Sequence, residues 1–130
     1  LIEKAQKWDQ SHYINSWLER LDWNIAVQRL FEKYTLLITP TLPCRPFAVG
    51  LDNPKSINST RLSPYEWLTF TFPFNMTGNP AASIPCGFTK DGLPVGLQIV
   101  GRRFDDVSVL KASAAFERAA PWADNRPSVG

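Results

Sequence analysis

Residues 73–103 decide the fold, and they read PFNMTGNPAASIPCGFTKDGLPVGLQIVGRR. Four prolines and five glycines punctuate two short apolar runs within this stretch. Proline fixes φ and removes a backbone donor, whereas glycine permits positive φ, so the backbone passes through several special conformations here. Such a stretch is typical of a place where the backbone approaches a ligand or another strand.

The two apolar runs predict a β-hairpin. Residues 82–88 and 94–101 are β-like, and Asp91-Gly92 between them is a strong hairpin signal. The second run, VGLQIVG, is apolar enough for a central strand. Gln98 in its middle either makes structural hydrogen bonds or points into a site, since a buried amide needs partners in both cases.

An aromatic segment, residues 65–74, precedes the hairpin. Phe70, Phe72 and Phe74 alternate, which predicts one apolar face on an extended segment. This face is either plain core or, with the polar Asn75 after it, the lining of an apolar pocket with a few groups that orient a ligand.

A short strand and a long loop come before the aromatic segment. The run TLLIT at residues 35–39 predicts a buried strand that stops at Pro40. Residues 40–64 then predict an extended, proline-rich loop of a length that usually has a functional reason.

Helices are predicted at both ends of the chain. Residues 1–33 contain no glycine or proline, and two apolar stripes follow helical spacing there. The first stripe consists of Ile14, Trp17, Leu18, Leu21 and Ile25, and the second of Trp23, Val27, Leu30, Phe31 and Tyr34. The phase changes near Asp22, so either two helices meet with Asp22 as an N-cap, or one helix is buried on both faces.

The last predicted helix opens at Asp105-Asp106 and stops before Pro121. Its buried face is predicted to contain Val109, Ala112, Phe116 and Ala119. The small alanine side chains predict close packing of this helix against a sheet.

Composition excludes several classes of protein. The 130 residues are 44% apolar and 20% charged, with a net charge of +2. No basic run extends beyond Arg102-Arg103, which argues against nucleic-acid binding. No apolar run approaches the roughly 20 residues that span a bilayer, and no signal-peptide pattern opens the chain, so we expect a cytoplasmic protein without membrane contact. Since Leu1 lies within a helical pattern, we expect the chain to be part of a longer one.

Few residues of this sequence are candidates for a nucleophile, a general base or a metal ligand. The only histidine, His12, is far in sequence from Cys44 and Cys86, and we interpret it as a surface residue. The cysteines are interpreted as reduced thiols. One histidine and no CxxC argue against a metal site, and no phosphate or dinucleotide motif indicates a cofactor.

Three motifs together resemble the closing part of amidase signature family enzymes. They are PFNMTGNPAASIPCGF at 73–88, DGLPVGLQIVGRRFDD at 91–106 and YTLLITPTLP at 34–43. The resemblance implies the α/β class, with the chain as the C-terminal part of an α/β/α fold built on a mixed sheet. It makes residues 1–130 a fragment of one amidase domain. The parts are helix at 1–34, strand and proline-rich loop at 35–64, pocket segment and hairpin strands at 65–103, and helix at 105–119.

The resemblance also implies hydrolysis of a carboxamide to a carboxylate and ammonia or amine. Family members use a serine nucleophile, a second serine and a lysine base. This sequence has no Ser-Ser step, no Gly-Gly step and no lysine in an apolar glycine-rich setting. It therefore carries no catalytic residue over from the family, and we expect the chain alone to be inactive.

The segment that matches the family's acyl-binding channel is implied to bind substrate. Its residues are Trp67, Leu68, Phe70, Thr71, Phe74, Asn75 and Thr77. Leu68 stands where glutamine-using members place an acidic residue, although Glu66 is close enough for a shifted alignment. This favours an amidase of apolar or aromatic amides over the A-type subunit of a glutamine-dependent aminoacyl-tRNA amidotransferase.

Other partners and classes stay open at this point. The expected partners are a small-molecule amide and the missing N-terminal part of the same enzyme, and a homodimer is possible. A non-catalytic interaction or structural module is the alternative from another class, with the aromatic segment as its partner surface.

Overall fold

A computed structural model describes residues 6–126 and centres on a three-stranded antiparallel sheet. The strands are β1 (Leu36–Pro40), β4 (Ala81–Phe88) and β5 (Pro94–Gly101), in the spatial order β1–β5–β4. The predicted central position of β5 is confirmed. All the pairings of these three strands are antiparallel, so the mixed sheet that the resemblance implies is not visible in this part of the fold.

The β4–β5 hairpin forms where Asp91-Gly92 predicts it. The amide of Thr89 donates to the Leu93 carbonyl at 2.8 Å, and Gly92 adopts a φ of +78°, which favours glycine. The register shifts between Pro85 and Gly87, where β4 carries a bulge. Because β4 lies at one end of the described sheet, a proline is tolerated within it.

One unbroken helix, α1 (Gln10–Lys33), contains both predicted stripes except Tyr34, which follows its last residue in extended conformation. Asp9 caps it by accepting a hydrogen bond from the His12 amide, and Asp22 lies inside it rather than at a cap. The possibility of two helices is therefore wrong. Residues 1–5 of the predicted helical region lie outside the described residues.

The two stripes of α1 differ in environment, and the second is buried only in part. Val27 and Phe31 are buried and Leu30 is half-buried, whereas Trp23 and Tyr34 are exposed. The first stripe, which the spacing predicts to be buried, is between 40 and 55% exposed from Ile14 to Ile25. That prediction is wrong for this chain, since the helix turns this stripe away from the sheet.

The core lies between α1, the sheet and a short helix, α2 (Phe72–Thr77). Val27, Phe31, Phe74 and Val100 form its buried cluster. The last helix, α3 (Asp106–Ala119), covers the opposite face of the sheet, where Val109 packs against Gly101. Of the buried face predicted for α3, Val109 is buried and Ala112 and Phe116 are half-buried, but Ala119 is exposed. Helices and strands together confirm the α/β class.

The aromatic segment is helical, so the predicted extended face is wrong. A 3₁₀ turn spans Glu66–Leu68, and α2 follows with Pro73 in its first turn. Gly78 ends α2 in the left-handed conformation, with a φ of +68°. Proline near the start and glycine just past the end are the usual boundaries of a helix, and they outweigh the alternation of aromatic residues.

The proline-rich loop contains a small hairpin of its own. Strands β2 (Ser56–Ile57) and β3 (Thr60–Arg61) pair antiparallel, and Asn58 and Ser59 between them have positive φ. None of the helices within residues 6–126 combines the length and apolarity needed to cross a bilayer.

Candidate functional site

The residues predicted to bind substrate occupy the 3₁₀ turn and α2. Trp67 donates its indole N–H to the Pro64 carbonyl at 3.1 Å, and its ring meets that of Phe47 edge-on with centroids 5.4 Å apart. The hydroxyl of Thr71 donates to the Leu68 carbonyl at 3.2 Å. These contacts fix the turn and leave the Trp67 and Leu68 side chains half-buried.

Two of the residues predicted to bind substrate, Phe74 and Thr77, are buried and pack between α2 and the sheet. Phe74 belongs to the buried cluster on the sheet. Thr77 is buried and donates its hydroxyl to the Asn79 side-chain oxygen at 2.5 Å, while the Asn79 amide nitrogen donates to the Gly101 carbonyl at 2.8 Å. Phe74 and Thr77 therefore attach α2 to the sheet, whereas Asn75 between them is exposed.

Gln98 connects the candidate segment to the central strand. Its side chain is only 4% exposed, and its amide nitrogen donates to the Phe70 carbonyl at 2.8 Å and to the Thr39 hydroxyl at 3.0 Å. Of the two roles left open for this residue, structural hydrogen bonding is the one observed. By holding the Phe70 backbone, Gln98 sets the position of the turn that carries Trp67 and Leu68.

A cavity of about 600 Å³ lies beside this segment, between the proline-rich loop and the β4–β5 hairpin. Thr41, Cys44 and Phe47 line it from the loop, and Ser83 and Gly96 line it from the strands. Sequence reasoning missed this cavity. The available signal was Gly96, because a glycine inside an apolar strand often marks a close approach of other atoms.

The groups that could act as nucleophile or base lie apart from one another. His12 is exposed and its Nδ1 lies 2.7 Å from the Asp9 carboxylate. The hydrogen bond from the His12 amide, followed by the one to its ring, lowers the pKa of Asp9. Burial raises the pKa of the Cys44 thiol, which disfavours the nucleophilic thiolate.

The lysines of the described chain are all exposed. They are Lys7, Lys33, Lys55, Lys90 and Lys111. A lysine acts as a general base only when it is neutral, and burial is the usual way to achieve that. Within residues 6–126, no lysine is therefore buried beside a serine or cysteine, and the His12 ring bonds to Asp9 rather than to a serine or cysteine.

Comparison with known proteins gives the family directly. The family model described as Amidase matches residues 2–110 of the chain. The chain belongs to the amidase family. The resemblance carried by residues 34–43, 73–88 and 91–106 is thereby confirmed.

Relatives of this amidase chain include proteins named for two different activities. An acylamidase of Rhodococcus erythropolis is 44% identical over 97 residues, which is 73% of this chain and 20% of the relative. The A-type subunit of the glutamyl-tRNA(Gln) amidotransferase of Thermodesulfovibrio yellowstonii is 40% identical over 102 residues, 77% of this chain and 20% of the relative. The chain thus spans about a fifth of the length of these curated relatives.

The fold also matches a solved amidase. The structure of a bacterial aryl acylamidase belonging to the amidase signature enzymes superposes with a TM-score of 0.87 and 34% identity. The match covers 97% of this chain and 28% of the solved one. The amidase signature fold expected from the sequence is confirmed for this chain.

Proposed function

We propose that this chain forms part of an amide hydrolase that converts a carboxamide into a carboxylate and ammonia or amine. The observation that carries the proposal is its membership of the amidase family. The family match leaves open what the chain itself contributes. We assign it the scaffold and one wall of the substrate channel, formed by the turn at Glu66–Leu68 and by α2.

The proposal leaves the bond-breaking chemistry to residues outside this chain. In the proposed mechanism a serine attacks the amide carbonyl, and a second serine and a buried neutral lysine relay its proton to the departing nitrogen. Backbone N–H groups stabilise the oxyanion that develops on the carbonyl oxygen. The exposed lysines of residues 6–126 support an external source for the base, because water keeps such side chains charged.

The outward stripe of α1 supports a covering partner from the same amidase domain. Trp17, Leu18 and Leu21 are each more than half exposed, and they follow one another along a single face. Exposed apolar patches of this kind mark interaction surfaces. Because the curated relatives are about five times as long as the matched region, the partner we propose is the part of the domain that precedes this chain in sequence.

Two measurements test whether the catalytic groups lie outside this chain and whether the rest of the domain binds to it. The isolated chain, incubated with simple aryl and alkyl amides, should release no ammonia, and turnover that survives repurification would contradict this. Analytical ultracentrifugation with and without the preceding part of the domain should show association that Leu18→Lys weakens. A stable monomer with no affinity for that part would favour the independent interaction module instead.

The A-type component of a glutamine-dependent aminoacyl-tRNA amidotransferase is the second candidate. It is favoured by the names of relatives that are 40–46% identical to the chain. Leu68 argues against this candidate. It is apolar, whereas the resemblance implies that glutamine-using members have an acidic residue at this position. Glutamine hydrolysis by the longer protein that outpaces anilide hydrolysis would promote this candidate. Leu68→Asp should raise the kcat/KM for glutamine relative to the anilide if the first candidate is correct.

A further inference from the structure

The cavity beside the proline-rich loop has the dimensions of a small-molecule site. Its volume of about 600 Å³ falls inside the range of roughly 300–1,000 Å³ that is common for ligand pockets. Most of its walls are apolar side chains from the loop and the hairpin. They include Leu42, Pro43, Phe47, Ile84, Pro94 and Val95.

The floor of the cavity is polar. Thr41 follows β1 and Ser83 lies on β4, so their side chains reach over β5 from its two neighbours. Their hydroxyl oxygens lie 2.7 Å apart in a hydrogen bond. A Cβ on Gly96 would lie 2.6 Å from the Thr41 oxygen and 2.9 Å from the Ser83 oxygen, so glycine is the residue that leaves room for the pair.

This hydroxyl pair can recognise a ligand. Each hydroxyl has one proton and two lone pairs, and one of the two protons is used in the bond between them. The pair retains one O–H donor and several acceptor lone pairs, and within residues 6–126 neither hydroxyl has another hydrogen bond. A donor beside lone pairs complements the C=O and N–H of a carboxamide.

We propose that this cavity binds a neutral aryl carboxamide. The carbonyl oxygen accepts a hydrogen bond from the Thr41–Ser83 hydroxyl pair, and the ring packs against the apolar walls. The choice of an amide rests on the proposed function and deepens it by giving the substrate a binding site at the Thr41–Ser83 pair. Phe47 lines the cavity and also contacts Trp67, so a ligand in the cavity lies next to the proposed channel wall.

Binding to the full 130-residue chain tests the proposal. Acetanilide and N-ethylaniline share the ring and the N–H, but only acetanilide has the carbonyl. Acetanilide should bind about fivefold more tightly by NMR titration, which corresponds to one net hydrogen bond. The double variant T41V/S83A keeps the shape of the floor without its hydroxyls and should remove this preference. Equal affinities in the unaltered chain overturn the proposal.

Cys44 supplies an independent readout with an internal control. It lines the cavity, whereas Cys86 is exposed and is not a lining residue, although its thiol donates to the carbonyl of the lining residue Val95. Saturating acetanilide should slow alkylation of Cys44 by iodoacetamide several-fold without changing the rate at Cys86. The double variant T41V/S83A should weaken this protection, because it removes the hydroxyls that hold the ligand. Slowing at both cysteines, or at neither, overturns the proposal.

Kinetic measurements on the longer amidase that contains this chain distinguish a failure of the cavity assignment from a failure of the proposed function. There the double variant T41V/S83A should raise KM for an anilide about fivefold while kcat changes little, since the variant removes a binding contact and not a reacting group. Full turnover with an unchanged KM overturns the cavity assignment and leaves the proposed function standing. An unchanged KM is the result expected if side chains from the rest of the domain fill this cavity. Absence of turnover in the unaltered longer protein overturns the proposed function, while the acetanilide titration still decides the cavity.

Discussion

The two apolar faces of α1 differ in what covers them. The inner face places Val27 and Phe31 on Val100 at the centre of the sheet. The outer face presents Trp17 and Leu18 to solvent over much of their surface. Both faces follow helical spacing, yet only the inner one includes buried residues, so periodicity alone does not tell which apolar face of a helix is covered within the chain.

The largest expected effect distinguishes the two faces directly. Phe31→Ala should lower the free energy of unfolding by about 3–5 kcal/mol, because it leaves a cavity in the buried cluster. Leu18→Ala removes a more exposed side chain and should change it by less than about 0.5 kcal/mol. Urea denaturation followed by circular dichroism measures both. Similar losses in the two variants would show that the outer face is packed in the isolated chain.

A second variant asks whether close packing extends to the other side of the sheet. Gly101→Ala places a methyl group 2.6 Å from Val109 Cγ2 and should lower the free energy of unfolding by about 2–3 kcal/mol through overpacking. Adding Val109→Ala makes room for that methyl, so the double variant should be less unstable than the sum of the two single variants. Strict additivity would mean that α3 moves away without strain.

Gln98 tests the link between the inner core and the candidate channel wall. Gln98→Met keeps the length of the side chain and deprives the Phe70 carbonyl of its donor, at about 1–2 kcal/mol of stability. Hydrogen exchange should accelerate in residues 66–77 more than in α3. Uniform acceleration would indicate a general loss of stability and remove the positioning role.

The smallest effect concerns the start of α1. The depressed pKa of Asp9 means that the folded helix prefers the carboxylate, so its contribution is complete above the ordinary value of 3.8. It is lost as pH falls through the lower, folded pKa. Hydrogen exchange at the His12 amide should therefore accelerate on acidification relative to mid-helix amides. Asp9→Asn should remove this pH dependence, and its persistence would assign the effect to another group.

Local signals predicted most of the sheet and little of the site. Asp91-Gly92 and the apolar run after it indicated the hairpin and the central strand, because a turn and its flanking strands are encoded within a few residues. The alternating aromatics of residues 70–74 predict an extended segment, but Pro73 and Gly78 set the boundaries of a short helix at residues 72–77. The pairing of Thr41 with Ser83 joins residues 42 positions apart, which no local pattern could indicate.

The position of β5 has a consequence for how the chain acquires its structure. β5 pairs with β4 through a five-residue turn, but with β1 across more than fifty intervening residues. During synthesis β1 leaves the ribosome before β5, its partner strand in this sheet, by more than fifty residues. We expect the hairpin to form early as a template and β1 to dock late, with the slow closure of the long loop setting the folding rate.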